Sequence, residues 1–371
     1  MTVTPADFRS YPDCGLDWLD PGGDDADIVL STRVRLARNI QGHRFVAHAA
    51  VSELGNVLEK YLRAVSDSRA FAAGLAFEID RMDSVTQRVL LERRLVSKEL
   101  IGGSEEARVL HLASGAPVSV MVNEEDHLRL QSITSGFRVG RAWMAVDRLD
   151  DELGGALPFA FDSEFGYLTA CPTNVGTGMR ASVFMHLPGL VLTREIGKVL
   201  KGLMEVGVAF RGLYGEGSEV IGNFFQISNE RTLGKNEEDL LADLEGRVRH
   251  VIRCERDARE ILLRDARSIT EDKVWRAFGL LRHARALEFE ELMSLLSGVR
   301  LGVSLELLPP IGVYTLNKMM ILTQPAHLEY SAGSGLKRSR MEAECASYVR
   351  AALAADLNGD SQGQGDRRPS R

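Results

Sequence analysis

The stretch from Cys171 to Val183 reads CPTNVGTGMRASV and holds the residue types that a phosphate-binding turn needs. Gly176 and Gly178 would free the backbone, Arg180 supplies a fixed cation, and Cys171 stands at the entrance. Such a turn suits a phosphorylated ligand. Most Gly-x-Gly turns are only turns, so the stretch indicates phosphate chemistry only if other parts of the chain supply what a phosphoryl transfer still lacks.

Two arginines in the stretch STRVR, Ser31 to Arg35, supply further cations. Arg33 and Arg35 lie two residues apart in a segment of strand-like branched residues, so their side chains are expected on one face. Taken alone, a solvent-exposed polar strand face is the commoner explanation. Forked guanidinium groups on one face, with Ser31 just before them, could instead grip neighbouring phosphate oxygens.

Two carboxylates lie where a substrate could be held. The stretch NEEDHLR begins at Asn123, after a predicted strand, and we expect Asn123 to cap a helix. Glu125 would then point into a cleft with Arg129 beside it, although acids in a first helical turn and an ordinary helix ion pair are the alternative. Glu216 is surrounded by glycines in RGLYGEGS, which predicts a mobile loop that closes on a substrate unless it is only an exposed turn.

These four stretches together indicate phosphoryl transfer. Their cations are Arg33, Arg35, Arg129, Arg180 and Arg211. Neither a Walker A sequence nor the His-Arg-Asp and Asp-Phe-Gly pair of the usual protein kinases is present. Because phosphoryl transfer depends mainly on positioning and charge neutralisation, a cage of arginines with magnesium could replace a P-loop lysine. Two carboxylates could then hold a guanidinium, whose planar edges match them in forked pairs.

The periodicity of apolar residues predicts an α+β scaffold around these stretches. Strands are expected at 75–79, 109–112, 118–122, 208–213 and 220–228, and helices at 51–65, 86–100, 138–154 and 188–205. Beyond Asn236 only helices are expected, with Thr270 as the cap of one of them. We therefore expect a leader (1–25), a catalytic domain (26–240), a helical C-terminal domain (241–356) and a disordered tail (357–371).

Composition narrows the class of protein. With 371 residues, 44% of them hydrophobic, the chain is globular rather than disordered. A net charge of −7 argues against a general nucleic-acid binder, and no apolar run approaches the ~20 residues of a membrane span. Four scattered cysteines, without a Cys-x-x-Cys, suggest neither a zinc site nor a disulfide framework. We expect a soluble protein in the reducing cytoplasm, with no nucleic acid or membrane as a partner.

The four motifs, in this order, resemble the phosphagen (ATP:guanido) kinases over about residues 27–240. Within that family the chain is similar to bacterial protein-arginine kinases of the McsB type, through RGLYGEGSE, GNFFQISN, TLGK and MILTQP. The resemblance implies a largely antiparallel sheet flanked by helices, followed by an all-α C-terminal domain. In kinases of small guanidino compounds a helical domain of ~100 residues precedes the first arginine strand. Here that strand begins near residue 27, so a more open site that admits an arginine in a polypeptide is expected.

The resemblance also implies roles for individual residues. Glu125 would orient the guanidinium and take its proton, Glu216 would be a second clamp, and the Cys171 thiolate would lie against the guanidinium unless Cys171 is only a small buried thiol. Magnesium would bridge the ATP phosphates without a metal site on the protein. The nucleotide-binding positions would be Ser31, Thr32, Arg33, Val34, Arg35, Arg94, Arg129, Arg180, Ala181, Ser182, Val183, Phe184, Arg211 and Gly212.

The chain departs from the family pattern in two places. Arg94, in ERRLVS, stands where the family usually has a histidine near the nucleotide, which puts nucleotide affinity and selectivity in question. In the C-terminal region, MEAECA at 341–346 stands where protein-arginine kinases commonly carry a phosphoarginine-binding RDxxRA. Because acids replace the arginines that a phosphate requires, we expect this allosteric site to be absent or altered.

Three functions remain open at this point. The first is ATP-dependent phosphorylation of arginine side chains in proteins, the second is a kinase of a free guanidino compound, and the third is a non-catalytic adaptor that binds client proteins. Phosphorylation of free arginine would favour the second, and nucleotide turnover would eliminate the third. The resemblance further suggests a role in stress response, with a heat-shock repressor, Clp protease components and a zinc-bearing activator as partners, and it allows a homodimer.

Overall fold

An antiparallel sheet forms the centre of the computed structural model, which describes residues 6–103, 106–205, 207–212, 220–333 and 335–359. The strands are β1 Val29–Arg38, β2 Leu75–Glu78, β3 Val109–Leu112, β4 Val118–Val122, β5 Leu128–Ser135, β6 Phe161–Asp162, β7 Gly166–Tyr167, β8 Met179–His186, β9 Val208–Arg211 and β10 Phe224–Asn229. Eight of these described strands form one sheet, in the order β2-β3-β4-β5-β1-β8-β10-β9, and β6 and β7 form a separate hairpin.

Strand β1 lies in the middle of the sheet, with apolar side chains on one face and arginines on the other. Val34 and Leu36 are buried in the apolar core on one face, while Arg33 and Arg35 project from the other. Arg35 lies opposite Gln131 of β5 and Arg180 of β8. The predicted placement of both arginines on one strand face is therefore confirmed.

The described helices cover the sheet and continue beyond it. They are α1 Val51–Ala64, α2 Arg69–Ala72, α3 Ser84–Glu92, α4 Lys98–Gly102, α5 Val139–Ala156, α6 Pro188–Leu192, α7 Ile196–Glu205, α8 Glu237–Asp265, α9 Arg267–His283, α10 Phe289–Ser304, α11 Val313–Leu322, α12 Pro325–Ala332 and α13 Arg338–Leu357. Helices α1, α5 and α8 bury their apolar stripes against the Val34 face of the sheet. The predicted α+β class, with helices alone in the C-terminal part, is confirmed.

The opposite face of the sheet is only partly covered. Trp18 and Leu19 of the N-terminal segment form an apolar cluster with Phe184 of β8, Phe224 of β10 and residues of α9 to α13. A second cluster, around Phe77 and Leu90, covers the β2–β3 end. The middle of this face, over β1 and its neighbours, is left open. In the described part of the chain, no helix is both long enough and apolar enough to cross a lipid bilayer.

The stretch from Asn123 forms a hairpin turn, so the predicted helix there is wrong. Asn123 adopts a φ of 56°, which asparagine tolerates better than most residues. Its N–H donates to the carbonyl of His127 at 2.9 Å, and the N–H of Glu124 donates to the carbonyl of Asp126 at 3.1 Å. The chain therefore reverses between β4 and β5, and Arg129 belongs to a strand rather than to a helix.

Two other predicted helices are each divided in two. The helix expected at 86–100 ends with α3, because Arg94 adopts a φ of 65° and Leu95 N–H closes back onto the carbonyl of Leu90 at 3.0 Å. The helix expected after Pro188 breaks in the same way at Arg194, also with a φ of 65°.

Two further predictions concern the C-terminal part of the chain. The prediction that Thr270 caps a helix is wrong, because Thr270 lies inside α9, whose N-cap residue is Ala266. The predicted disordered tail lies outside the described residues, except for 357–359.

Candidate active site

A cavity of about 270 Å³ lies on the open face of the sheet and gathers the sequence motifs. It lies above β1, β5 and β8, and it is bordered by the α3–α4 connection. The cations that line it are Arg33, Arg35, Arg94, Arg129 and Arg180. The other polar side chains in its wall are those of Glu92, Ser97, Lys98, Glu99, Glu125, Gln131, Cys171, Thr173, Asn174, Gln226 and Gln324.

Two arginines of β1, Arg33 and Arg35, lie half-buried on the same strand face without neutralising partners. Burial, then Arg94 and Arg129, hold the pKa of Arg33 well below its usual value. Burial also lowers the pKa of Arg35, and its neighbours Arg33, Arg129 and Arg180 add to the effect. No carboxylate of the described residues lies within 4 Å of either guanidinium. The cavity floor therefore carries positive charge that an anion would neutralise.

Several hydrogen-bonding atoms on this face are buried and have no partner among the described residues. They are Arg33 Nε, Arg35 Nε, Arg94 Nη1 and the hydroxyl oxygens of Ser31, Ser182 and Ser228. Ser182 lies directly opposite Arg33 across the β1–β8 ladder, and Ser228 lies opposite Ser182. An unpaired buried polar group costs about 1–3 kcal/mol. A ligand with many acceptor oxygens, such as a polyphosphate, fits these donors.

Arg94 reaches the cavity from the α3–α4 connection, 59 residues after Arg35 in sequence. Its guanidinium lies 4.6 Å from the ring centre of Phe184 and 5.7 Å from that of Trp18. Burial, with a smaller contribution from Arg35, lowers the pKa of Arg94 to about 9. Arg94, which stands where the family usually has a histidine, thus adds a cation to the cluster.

Sequence reasoning missed Gln226, which joins two of these arginines. The Gln226 side chain is buried, and its Oε1 accepts hydrogen bonds from Arg33 Nη2 at 3.3 Å and from Arg94 Nη2 at 2.5 Å. A neutral acceptor aligns both guanidinium groups without neutralising them. The only sequence signal was a polar residue that alternates with Ser228 in the strand FFQISN.

We expect Gln226→Glu to raise the KM for ATP about tenfold or more, because a carboxylate between Arg33 and Arg94 would form ion pairs and compete with phosphate oxygens. Steady-state kinetics at saturating acceptor measure the effect. Gln41→Glu, at an exposed position, adds the same charge away from the cavity and should leave the KM unchanged. If Gln226→Glu and the wild-type enzyme had the same KM for ATP, Gln226 would have no role in nucleotide binding.

The hairpin turn presents Glu125 to the cavity by burying its neighbour Glu124. The Glu124 side chain is fully buried, pairs with Arg129 Nη1 at 3.1 Å and accepts a hydrogen bond from the Ser97 hydroxyl. Its other oxygen accepts the Glu125 N–H at 3.0 Å. The Glu125 side chain remains 34% exposed, with Oε2 at 3.4 Å from Arg129 Nη2. The two adjacent acids therefore differ in role, since one fixes the turn and the other faces the cavity.

The surroundings of Glu125 favour proton uptake. Burial raises the pKa of the Glu125 carboxyl, Arg129 opposes this, and the nearby charges of Glu124, Asp126 and Glu99 reinforce it. A carboxylate with a raised pKa is a better proton acceptor near neutral pH than an ordinary glutamate.

Asp126 ties the hairpin turn to the segment that carries Cys171. Its Oδ1 accepts the Ala170 N–H at 2.7 Å and the Asn39 side-chain amide at 2.6 Å. Cys171 and Glu125 therefore line the same cavity, and the Cys171 sulfur lies 3.1 Å from the Thr173 hydroxyl.

The glycines of the central motif serve close backbone packing. A Cβ on Gly176 would lie 2.2 Å from the carbonyl oxygen of Thr232, and one on Gly178 would lie 2.6 Å from that of Ala37. Both glycines also adopt positive φ, 112° and 64°. These two positions therefore allow the Cys171 segment to pack against its neighbours, and they bring Cys171 and Arg180 to the cavity.

Several of the other residues predicted to bind the nucleotide have side chains that lie away from the cavity. Val34, Ala181 and Val183 are buried in the core below the sheet. The Thr32 hydroxyl donates to the carbonyl of Gly136 at 2.7 Å, also away from the cavity.

The last predicted site residues belong to β9 and the chain beyond it. Arg211 lies opposite Gln226 in the β9–β10 ladder, with the buried Gly212 after it. Glu216, with its predicted loop, lies outside the described residues.

The C-terminal helices meet the cavity wall at α12. The Glu92 carboxylate accepts the N–H groups of Ala326 and His327 at 2.9 and 3.0 Å, so it caps the N-terminus of α12. Arg93 donates to His327 Nε2 at 3.2 Å. These contacts fix the turn from which Arg94 enters the cavity.

Comparison with known proteins defines the class first. Residues 56–258 match the sequence model of the ATP:guanido phosphotransferase C-terminal catalytic domain, and the chain belongs to this family. Residues 267–364 match the model of the protein-arginine kinase McsB C-terminal domain. Within the family, then, the chain belongs with the protein-arginine kinases.

Full-length relatives support this placement. The protein-arginine kinases of Halalkalibacterium halodurans and Moorella thermoacetica are both 44% identical to the chain, over 91% of it and 94% and 97% of their own lengths. That of Bacillus subtilis is 39% identical, over 93% of the chain and 95% of its own length. The resemblance read from the motifs is confirmed.

Solved structures confirm the fold of the catalytic part. Lombricine kinase superposes with a TM-score of 0.56 at 24% identity, over 64% of this chain and 68% of that one. Substrate-free duplicated taurocyamine kinase from Schistosoma mansoni superposes with a TM-score of 0.54 at 26% identity, over 64% of this chain and 33% of that one.

Proposed function

We propose that the protein transfers the γ-phosphoryl group of ATP to a guanidinium nitrogen of arginine side chains in proteins. The observation that carries this proposal is the position of the Glu125 carboxylate beside a cluster of partly buried arginines in one cavity. Full-length relatives named protein-arginine kinase support the choice of acceptor.

The arginine cluster would bind the phosphates of ATP. Arg33, Arg35 and Arg94 offer buried donors without partners, and Arg129 and Arg180 complete the cavity wall. We infer that Mg²⁺ arrives bound to the nucleotide, because this ion usually binds through substrate phosphates and waters with no more than one or two carboxylates. When bound, Mg²⁺ neutralises charge on the phosphates.

Glu125 would handle the acceptor. A guanidinium has a pKa above about 12, so its nucleophilic nitrogen must lose a proton as it attacks. A new N–P bond forms, the bond from phosphorus to the bridging oxygen of ADP breaks, and the proton passes to Glu125. Arg129 pairs with that carboxylate, and Glu124 accepts the backbone N–H of Glu125. Cys171, in the same wall, and Glu216 would complete the guanidinium site.

The experiment is mass spectrometry under non-acidic conditions, because phosphoarginine is labile in acid. An arginine-rich protein is incubated with the enzyme, ATP and magnesium, beside a Glu125→Ala control and a parallel reaction with free arginine. Phosphoarginine in the protein, absent from the control, supports the proposal. Phosphorylation of free arginine alone would reassign the acceptor, and transfer to neither would overturn the kinase assignment.

The helix at 341–346 supports the prediction of a missing regulatory site. Cys345 and Ala346 are buried in the core of the C-terminal helices, and Glu342 pairs with Arg338 at 3.0 Å. None of these six positions supplies a guanidinium to a phosphate. We infer that free phosphoarginine does not regulate the enzyme through this segment, so added phosphoarginine should leave its rate unchanged unless it competes in the active site.

We place the reaction in the cytoplasm, where the four cysteines, all free in the structure, would remain reduced. A heat-shock repressor and Clp components as partners, a zinc-bearing activator and a homodimer stay predictions.

A further inference from the structure

Two phenylalanines are exposed on the β6–β7 hairpin, close to the active site in sequence. The exposed fractions are 60% for Phe161 and 46% for Phe165. Neighbouring large apolar side chains on a surface commonly mark an interaction site.

The hairpin holds these rings in a defined position. The Tyr167 ring packs edge-on against Phe161, with ring centres 5.3 Å apart, and the Arg38 guanidinium lies 3.4 Å from the Tyr167 ring centre. Asp162 Oδ1 accepts the N–H groups of Glu164 and Phe165, at 2.8 and 3.1 Å, and closes the turn. The exposure of the two phenylalanines is thus built into an anchored element.

The hairpin is continuous with the wall of the active site. Tyr167 N–H donates to the carbonyl of Gly176 at 2.8 Å, within the segment that carries Cys171. Cys171 follows Phe165 by six positions, so their Cα atoms lie at most roughly 21 Å apart. An extended polypeptide crosses such a distance with about six residues. A protein whose arginine occupies the cavity could therefore contact the hairpin with its flanking residues.

The surface around the hairpin is acidic. Burial raises the pKa of the Tyr167 hydroxyl, Arg38 opposes this, and the charges of Asp150, Glu237 and Asp151 reinforce it. The charges of Asp151, Asp150, Glu237 and Glu238 likewise reinforce the effect of burial in raising the pKa of Asp147. Of these acids only Asp150 has a cation within 4 Å among the described residues, namely Arg38. The hairpin adds Asp162 and Glu164. The uncompensated charge favours a basic partner.

We propose that the β6–β7 hairpin and the acids beside it form the docking surface for the basic polypeptide segment that flanks a target arginine. The two phenylalanines would receive the stems and guanidinium groups of flanking arginines, and the acids would attract the segment to the surface. This proposal rests on the proposed phosphorylation of arginine in proteins.

The test compares a long and a short acceptor with the Phe161→Ala/Phe165→Ala double variant. The long acceptor is a basic peptide of about 13 residues with one central arginine, and the short one is a blocked Gly-Arg-Gly that reaches little beyond the cavity. We expect kcat/KM for the long peptide to fall about tenfold through KM, since a hot-spot aromatic commonly has an effect of this size. The value for the short peptide should change less than about twofold.

Ile269→Ala/Leu280→Ala is the matched control, because it removes exposed apolar side chains, 74% and 50% exposed, from α9. An Asp151→Asn/Glu237→Gln variant should also weaken the long peptide, and the loss should shrink in about 0.5 M salt. Equal kinetics of the phenylalanine variant and the wild type on the long peptide would overturn the docking proposal, as would equal losses on both peptides. No phosphorylation of either peptide by the wild type would instead count against the proposed function.

Discussion

Glu125→Gln is expected to lower kcat by about 10³-fold, within the range found when a general base is removed. The amide keeps the size and the hydrogen-bonding reach of the side chain but cannot accept the guanidinium proton. The KM for ATP should change little, because the nucleotide would bind to the arginine cluster. Initial rates with a protein acceptor, at saturating ATP, measure the effect.

The pH profile separates a proton acceptor from a residue that only positions the substrate. Burial raises the pKa of Glu125, so this group takes up a proton at a higher pH than an ordinary glutamate as the pH falls. The active carboxylate is thus present above the raised pKa, and kcat/KM should fall as the pH drops through it. The residual activity of Glu125→Gln should lack this acid limb.

Glu59→Gln is the matched control, since Glu59 is exposed on α1 and its side chain retains 60% of its accessible surface. Its kinetics should equal those of the wild type. A Glu125→Gln enzyme that retained more than about a tenth of the wild-type kcat would exclude Glu125 as the general base.

Arg35→Gln is expected to lower kcat/KM for ATP by about 10²–10³-fold while leaving the free enzyme no less stable. The rate falls because Arg35 contributes a fixed charge to the phosphate site. Stability behaves differently because burial and the neighbouring Arg33, Arg129 and Arg180 depress the pKa of Arg35, so its charged form is disfavoured in the folded state. Removing that charge should therefore raise the midpoint of thermal unfolding without ligand.

Thermal unfolding with and without ATP and magnesium checks both parts of this prediction. The wild type should be stabilised by ATP, and Arg35→Gln should lose most of that shift. Arg63→Gln, on an exposed helix face with 72% of its side chain accessible, should behave as the wild type. A marked drop in the unfolding midpoint of ligand-free Arg35→Gln would contradict this prediction. It would mean that the Arg35 charge stabilises the fold even without a bound anion.

The local sequence pattern was sufficient to predict the chemistry of this protein and much of its secondary structure. The two-residue spacing of Arg33 and Arg35 in a branched segment predicted one strand face, because strand side chains alternate irrespective of the partner strands. The residue types of the motifs predicted a guanidinium acceptor and a phosphorylated donor, since charge and hydrogen-bonding capacity belong to the side chains themselves.

Only the tertiary structure decided how these groups share one site. Asn123 with its acids is compatible with a helix start or a tight turn, and pairing between β4 and β5 selected the turn. The same pairing buried Glu124 and left Glu125 facing the cavity, which two identical neighbouring residues cannot reveal.

Gln226 is the clearest case, because its partners Arg33 and Arg94 lie 193 and 132 residues away. Periodicity reports which way a side chain points from its own element. Which side chains meet depends on the long-range packing of the sheet and the N-terminal segment. A local sequence pattern carries no information about that packing.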